Sequence, residues 1–211
     1  MANLITLTRF LLLFVVVAMA YFAAPTWQLA TAPLLIIMIA LDGLDGYVAR
    51  KRCETSAFGA ILDIAVDRVV ENVLWVVLAD LGQIPIWVAL VFVIRGTIVD
   101  SIRYAAIAEG ETAFGMMRSP MGRFLVAGRF MRAFYGTVKA ITFAWALLAR
   151  PLPDLAPALW GEWSAVAGAV TAVLVLASVI LCIARGVPVV AEFVVQQMMM
   201  QRPGWSRGAV R

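Results

Sequence analysis

Residues 42–71 read DGLDGYVARKRCETSAFGAILDIAVDRVVE, and this stretch decides what kind of fold the chain can adopt. It joins two apolar runs, roughly 28–47 and 57–79, and plants six acids in or beside them: Asp42, Asp45, Glu54, Asp63, Asp67 and Glu71. A charge at the centre of a spanning helix costs about 2.5–3.5 kcal/mol on insertion scales, so a row of them needs a compensating partner. Helical spacing groups the acids. Asp42 and Asp45 are three apart and share a face, with Ala49 one turn further along it. Asp63 and Asp67 are four apart and share another face, with Gly59 one turn before and Glu71 one turn after. The basic turn from Arg50 to Thr55 lies between. The two helices are therefore expected to pack antiparallel, with all four aspartates near one level at the cytoplasmic end.

Outward from this stretch the chain is apolar. Of its 211 residues 64% are hydrophobic and 14% charged, with a net charge of +4, and its mean hydropathy is +0.94. Soluble domains are roughly 45–50% apolar and about 25% charged, so the composition indicates a membrane protein. Further apolar runs lie at roughly 5–24, 84–108, 133–149 and 164–186. Each matches the ~20 residues that a spanning helix needs. The expected fold is all-α and integral to the membrane: six transmembrane helices in one bundle, forming a single domain over 1–211. The run 5–24 is too long for a signal-peptide core and is read as a retained first helix. No internal repeat or low-complexity linker interrupts the chain.

The cations set the orientation. Arg50, Lys51 and Arg52 follow the second run, Arg118, Arg123, Arg129 and Arg132 lie between the fourth and fifth, and Arg185, Arg202, Arg207 and Arg211 come at or after the sixth. The opposite loops carry almost only Arg150. The positive-inside rule then places both termini, and the acidic stretch, on the cytoplasmic side. After Pro188 the apolar residues Val189, Val190, Phe193, Val194 and Met198 are read as an interfacial helix.

Several chemistries are excluded. With no histidine, HExxH zinc sites and His-based triads are impossible. Cys53 and Cys182 are far apart and form neither a CxxC pair nor a disulfide framework. Acid–base work falls to carboxylates, Lys, Tyr or water. Four converging carboxylates are relieved either by protonation or by a cation. Hard ions such as Mg²⁺ or Mn²⁺ prefer oxygen ligands, and two sharing a carboxylate cluster make the arrangement used in phosphoryl chemistry. Gly43, Gly46 and Gly59 let backbone approach a ligand closely.

The spacing Asp42-x-x-Asp45-Gly46-x-x-Ala49-Arg50, eight residues, then Gly59-x-x-x-Asp63-x-x-x-Asp67 resembles the signature of the CDP-alcohol phosphotransferases, with every fixed position filled. The resemblance implies transfer of a phosphatidyl group from CDP-diacylglycerol to a small hydroxylated acceptor, with CMP released. It also implies that Asp42, Asp45, Asp63 and Asp67 hold the metal, two Mg²⁺ or Mn²⁺ ions, and that Asp67 is the general base. Gly46, Ala49, Arg50 and Gly59 are implied to cradle the cytidine nucleotide. A homodimer in the cell inner membrane is implied, its site opening to the cytoplasm, with membrane lipid as partner and no role for nucleic acid.

For the acceptor, Arg129, Arg132 and Lys139 follow one helical face, and Arg103 lies near the end of the fourth run. Such cations suit an acceptor phosphate, or equally anionic lipid heads. Asn3-x-x-Thr6-x-x-Arg9 is similar to the start of phosphatidylglycerophosphate synthases, which favours glycerol 3-phosphate. Those synthases usually carry an Arg-Glu pair in the fourth helix. Here Gly96 follows Arg95 and the nearby acid is Asp100, so an inositol phosphate stays the second acceptor. The reading from another class is a cation transporter using the same carboxylates. Such proteins tend to show paired repeats with broken helices at mid-membrane, whereas this sequence shows no repeat and its carboxylates sit by a basic turn near one face.

Overall fold

Long apolar runs form helices, and the breaks fall where proline, glycine or polar residues interrupt them. The computed structural model describes residues 2–52, 57–108 and 119–200. Six long helices stand among the described residues: α1 Ala2–Phe22, α2 Thr31–Arg52, α3 Ala57–Asp80, α4 Ile86–Ala108, α5 Arg129–Ala149 and α6 Pro157–Met200. Pro25 opens the short helical turn Pro25–Gln28 between α1 and α2, at a first-turn position where a missing N–H is harmless. Gly82 closes α3 with φ at +70°. The Gly82 N–H donates to the Ala79 carbonyl and the Gln83 N–H to the Leu78 carbonyl, a Schellman closure that needs a residue free to turn left-handed.

Among the described residues three stretches are long and apolar enough to cross a membrane: Leu4–Phe22, Pro25–Gly43 and Pro157–Met198. Helices α3, α4 and α5 have similar lengths, but Asp63, Asp67, Arg68 and Glu71, then Arg95, Asp100 and Arg103, then Arg129, Arg132 and Lys139 interrupt them. Large apolar side chains such as Leu11, Phe14, Ile94 and Ile180 face outward, as they must where lipid replaces water. The protein is all-α and an integral, multi-pass membrane protein.

Two boundaries differ from the sequence expectation. Helix α5 starts at Arg129, ahead of its apolar run, so Arg129 and Arg132 stand in its first turns. Helix α6 begins at Pro157 and continues through Pro188 to Met200, so the expected interfacial helix is the end of α6, with no break before it. An internal proline frees one carbonyl, and spanning helices tolerate this where neighbours re-satisfy the backbone.

The chain divides into two compact units: Met1–Phe92 with Thr137–Ser178, and Val93–Gly136 with Val179–Arg211. In the first unit α1 packs against both α2 and α3. Its core holds Leu13, Val16, Leu35, Met38, Leu74, Trp75 and Leu78. Trp75 stacks on Phe92 at 4.1 Å between ring centroids and leans on Phe143 at 4.5 Å. Polar clasps join α5 to α6: Thr142 and Ser178 share a hydrogen bond of 3.0 Å, and the Trp145 indole N–H donates to Thr171 at 2.9 Å. In lipid such contacts and close packing replace the hydrophobic effect as the glue between helices.

In the second unit Val99, Ile102, Ala106, Val126 and Val189 form the core. A single π-helical turn, Arg123–Ala127, precedes α5. Arg185 from α6 donates to the carbonyls of Leu125 and Val126 in that turn, and its guanidinium lies 5.4 Å from the centre of the Tyr135 ring. Gly128 ends the turn, and a Cβ there would stand 2.3 Å from the Phe124 carbonyl oxygen, so only glycine fits without a shift.

Candidate metal centre

Chain counting predicts which side chains meet. Asp42 lies 10 residues before the end of α2 (52 − 42) and Asp67 lies 10 after the start of α3 (67 − 57). Equal path lengths from the connection place the two at one level, with Asp63 about one turn nearer the connection. On the other side, Arg9 lies 16 residues before Pro25 (25 − 9) and Asp42 lies 14 after Gln28 (42 − 28). At 1.5 Å per residue these are about 24 and 21 Å, so Arg9 comes level with the aspartates.

The side chains do converge. Carboxylate oxygens of Asp42, Asp63 and Asp67 all lie within 4.8 Å of one another. Arg9 holds all three. Its Nη1 is 2.6 Å from Asp42 Oδ1 and 3.3 Å from Asp63 Oδ1, and its Nη2 is 2.7 Å from Asp67 Oδ1. The burial is one-sided: Arg9 is 4% exposed, while the aspartates are 42%, 45% and 48% exposed. The guanidinium thus meets the carboxylates from the protein interior, and their other side is open.

The donor set suits a hard divalent cation. It offers carboxylate oxygens alone, at mutual distances one ion can bridge. Three carboxylates and one guanidinium leave a formal excess of two negative charges (3 − 1), which the two positive charges of one such ion would balance. At Gly43, beside Asp42, an added Cβ would meet nothing within 4 Å, so the backbone there borders open space.

The other expected residues fall into three groups. Asp45, Gly46, Ala49 and Arg50 belong to α2, but their surroundings lie outside the described residues. Gly59 is half-buried in the first turn of α3. Lys139 forms an ion pair with Glu71 at 2.7 Å, and Arg68 reaches the other oxygen of Glu71 at 3.2 Å. Glu71 therefore balances two cations one turn beyond Asp67. Arg103 pairs with Asp100 at 3.7 Å in the second unit, where Arg129 and Arg132 are exposed.

Arg9 was absent from the expected site. The signal for it was present, since an arginine inside an apolar run must face the protein interior and find a partner. Nothing local to α1 names that partner, which stands 54 and 58 residues away for Asp63 and Asp67.

A multi-pass helical protein with a level, arginine-backed carboxylate cluster is the class that the fold and site define. The family model described as CDP-alcohol phosphatidyltransferase matches residues 1–200, and the chain belongs to that family. The chain is also similar to three proteins named CDP-diacylglycerol–glycerol-3-phosphate 3-phosphatidyltransferase. That of Bacillus subtilis (strain 168) is 30% identical over 127 residues, covering 54% of this chain and 66% of that protein. That of Pseudomonas fluorescens is 31% identical over 116 residues, covering 54% of this chain and 59% of the relative. That of Mycoplasma genitalium is 34% identical over 73 residues, covering 35% of this chain and 31% of the relative. The matched stretch thus spans less than two thirds of each relative's own length.

Proposed function

We propose that the chain transfers a phosphatidyl group from CDP-diacylglycerol to the hydroxyl of a small polar acceptor and releases CMP. The observation that carries this reading is the convergence of Asp42, Asp63 and Asp67 in a member of the CDP-alcohol phosphatidyltransferase family. The acceptor oxygen attacks the phosphorus that bears the diacylglycerol, the bond from that phosphorus to the CMP oxygen breaks, and CMP leaves. Asp42, Asp63 and Asp67, joined by Asp45, hold divalent metal, two Mg²⁺ or Mn²⁺ ions in this reading, which when bound neutralises charge on the diphosphate. Asp67 takes the proton of the acceptor hydroxyl at a carboxylate oxygen. Gly46, Ala49, Arg50 and Gly59 receive the cytidine nucleotide.

Glycerol 3-phosphate is the proposed acceptor. The names of the three relatives support it, as does the supply of cations for a phosphate at Arg103, Arg129, Arg132 and Lys139. Arg129, Arg132 and Lys139 lead this set, because they follow one helical face. The chain is further proposed to act as one domain with six spans, both termini and the site on the cytoplasmic side of the inner membrane, and as a homodimer. The distribution of Arg and Lys supports the orientation.

The test is CMP release by purified protein in liposomes, supplied with CDP-diacylglycerol and Mg²⁺ or Mn²⁺. Glycerol 3-phosphate, inositol 1-phosphate, inositol and serine are offered in parallel. Release that needs glycerol 3-phosphate and stops with chelator is the expected result. Release with another acceptor overturns the acceptor assignment, and release with none overturns the transfer reaction.

A further inference from the structure

The proposed chemistry leaves Arg9 without a task, yet one guanidinium engages three carboxylates on two other helices. Its contacts all fall on Oδ1 atoms: Asp42 and Asp63 at Nη1, Asp67 at Nη2. An arginine placed in the apolar helix α1 is costly unless a partner compensates it. Conversely, three carboxylates within 4.8 Å of one another repel unless a cation lies among them. Each group supplies what the other lacks. The burial gradient adds direction, because Arg9 is 4% exposed and the aspartates are close to half exposed. The guanidinium therefore takes the inner side of the cluster and leaves the outer side to an incoming ion.

We propose that Arg9 is the resident counter-cation of the cluster, a positioning residue that assembles Asp42, Asp63 and Asp67 from the inner side and shares their neutralisation with a divalent cation on the outer side. The second half of this proposal rests on the metal reading given above; the first half does not. Two groups that neutralise one set of charges are partly redundant. Loss of one then harms the protein less when the other is present, which is a coupling free energy between Arg9 and the ion. The planar fork of arginine matters as well as its charge, because two nitrogens reach three oxygens at once. A lysine keeps the charge but offers a single point of contact.

The experiment compares the full chain with Arg9→Gln, Arg9→Lys and the double variant Arg9→Gln/Asp63→Asn. Thermal unfolding is followed by tryptophan fluorescence in detergent, in EDTA and in saturating Mn²⁺. In EDTA, Arg9→Gln is expected to lower the midpoint by about 5 °C, because the carboxylates it leaves behind are half exposed and partly screened. In Mn²⁺ the loss is expected to shrink to less than half. Arg9→Lys should fall between the parent and Arg9→Gln. Asp63→Asn should restore part of the loss in EDTA, because it lowers the mutual repulsion of the three carboxylates. No recovery from Asp63→Asn overturns the counter-cation role and leaves Arg9 as packing. An equal loss with and without Mn²⁺ overturns the sharing with the ion. A parent whose midpoint ignores Mn²⁺ overturns the metal reading, while the recovery in EDTA still decides the role of Arg9. Should Arg9→Gln fail to fold, Arg9→Lys with and without Asp63→Asn makes the same comparison.

Discussion

Replacing Asp67 by Asn separates the chemistry of the cluster from its stability. Asparagine keeps a carbonyl oxygen where Asp67 Oδ1 accepts from Arg9 Nη2 at 2.7 Å, so that hydrogen bond survives. What goes is the charge. At an effective dielectric of about 20, the Arg9–Asp67 attraction at a charge separation near 4 Å is about 4 kcal/mol. The repulsions of Asp67 from Asp42 and Asp63, across up to 4.8 Å, are each about 3.5 kcal/mol on the same scale. Removing that attraction and both repulsions favours Asn by about 3 kcal/mol before screening, and solvent at the half-exposed carboxylates cuts this to about 1 kcal/mol or less. The melting midpoint should therefore stay within about 5 °C of the parent. Activity should not survive so well. A general base contributes about 10²–10⁴ in rate, or roughly 3–5.5 kcal/mol of barrier, and Asn cannot take a proton. The assay is CMP release from CDP-diacylglycerol with saturating Mn²⁺ and acceptor, run beside the thermal scan. A well-folded Asp67→Asn protein releasing CMP at the parent rate would refute the base assignment. A midpoint lowered by 10 °C or more would refute the charge balance drawn for the cluster.

Two other predictions concern the second unit. Arg132→Gln should raise KM for a phosphorylated acceptor about 10- to 100-fold, the worth of one charge-assisted hydrogen bond, with kcat and KM for CDP-diacylglycerol little changed; initial-rate kinetics in each substrate would show it, and an unchanged acceptor KM would remove Arg132 from the phosphate site. Gly128→Ala should destabilise the protein by about 1–3 kcal/mol, because its Cβ would press on the Phe124 carbonyl at 2.3 Å and push the π turn off Arg185; thermal unfolding reads the loss, and an alanine variant as stable as the parent would show that the turn yields freely.

Much of the site was legible because its logic is local. Asp63 and Asp67 are four apart, so any helix through them puts both on one face, whatever surrounds it. Asp42 and Asp67 stand equally far from the α2–α3 connection, so an antiparallel pair brings them level. The C-terminal segment was less legible. Pro188 reads as a helix breaker in water, yet α6 runs through it, because a helix surrounded by lipid and neighbouring helices gains nothing by exposing its backbone.

The sequence by itself determined that the protein lives in a membrane, that it is helical, and that paired carboxylates line two adjoining helices. These follow from composition and from the 3.6-residue period, which need no knowledge of distant contacts. Only the tertiary structure decided which cations meet those acids. Arg9 backs Asp42, Asp63 and Asp67, whereas Lys139 and Arg68 pair with Glu71. An ion pair between helices depends on which faces pack together and at what height. That information is spread over the whole of α1, α2, α3 and α5, and no single stretch of sequence holds it.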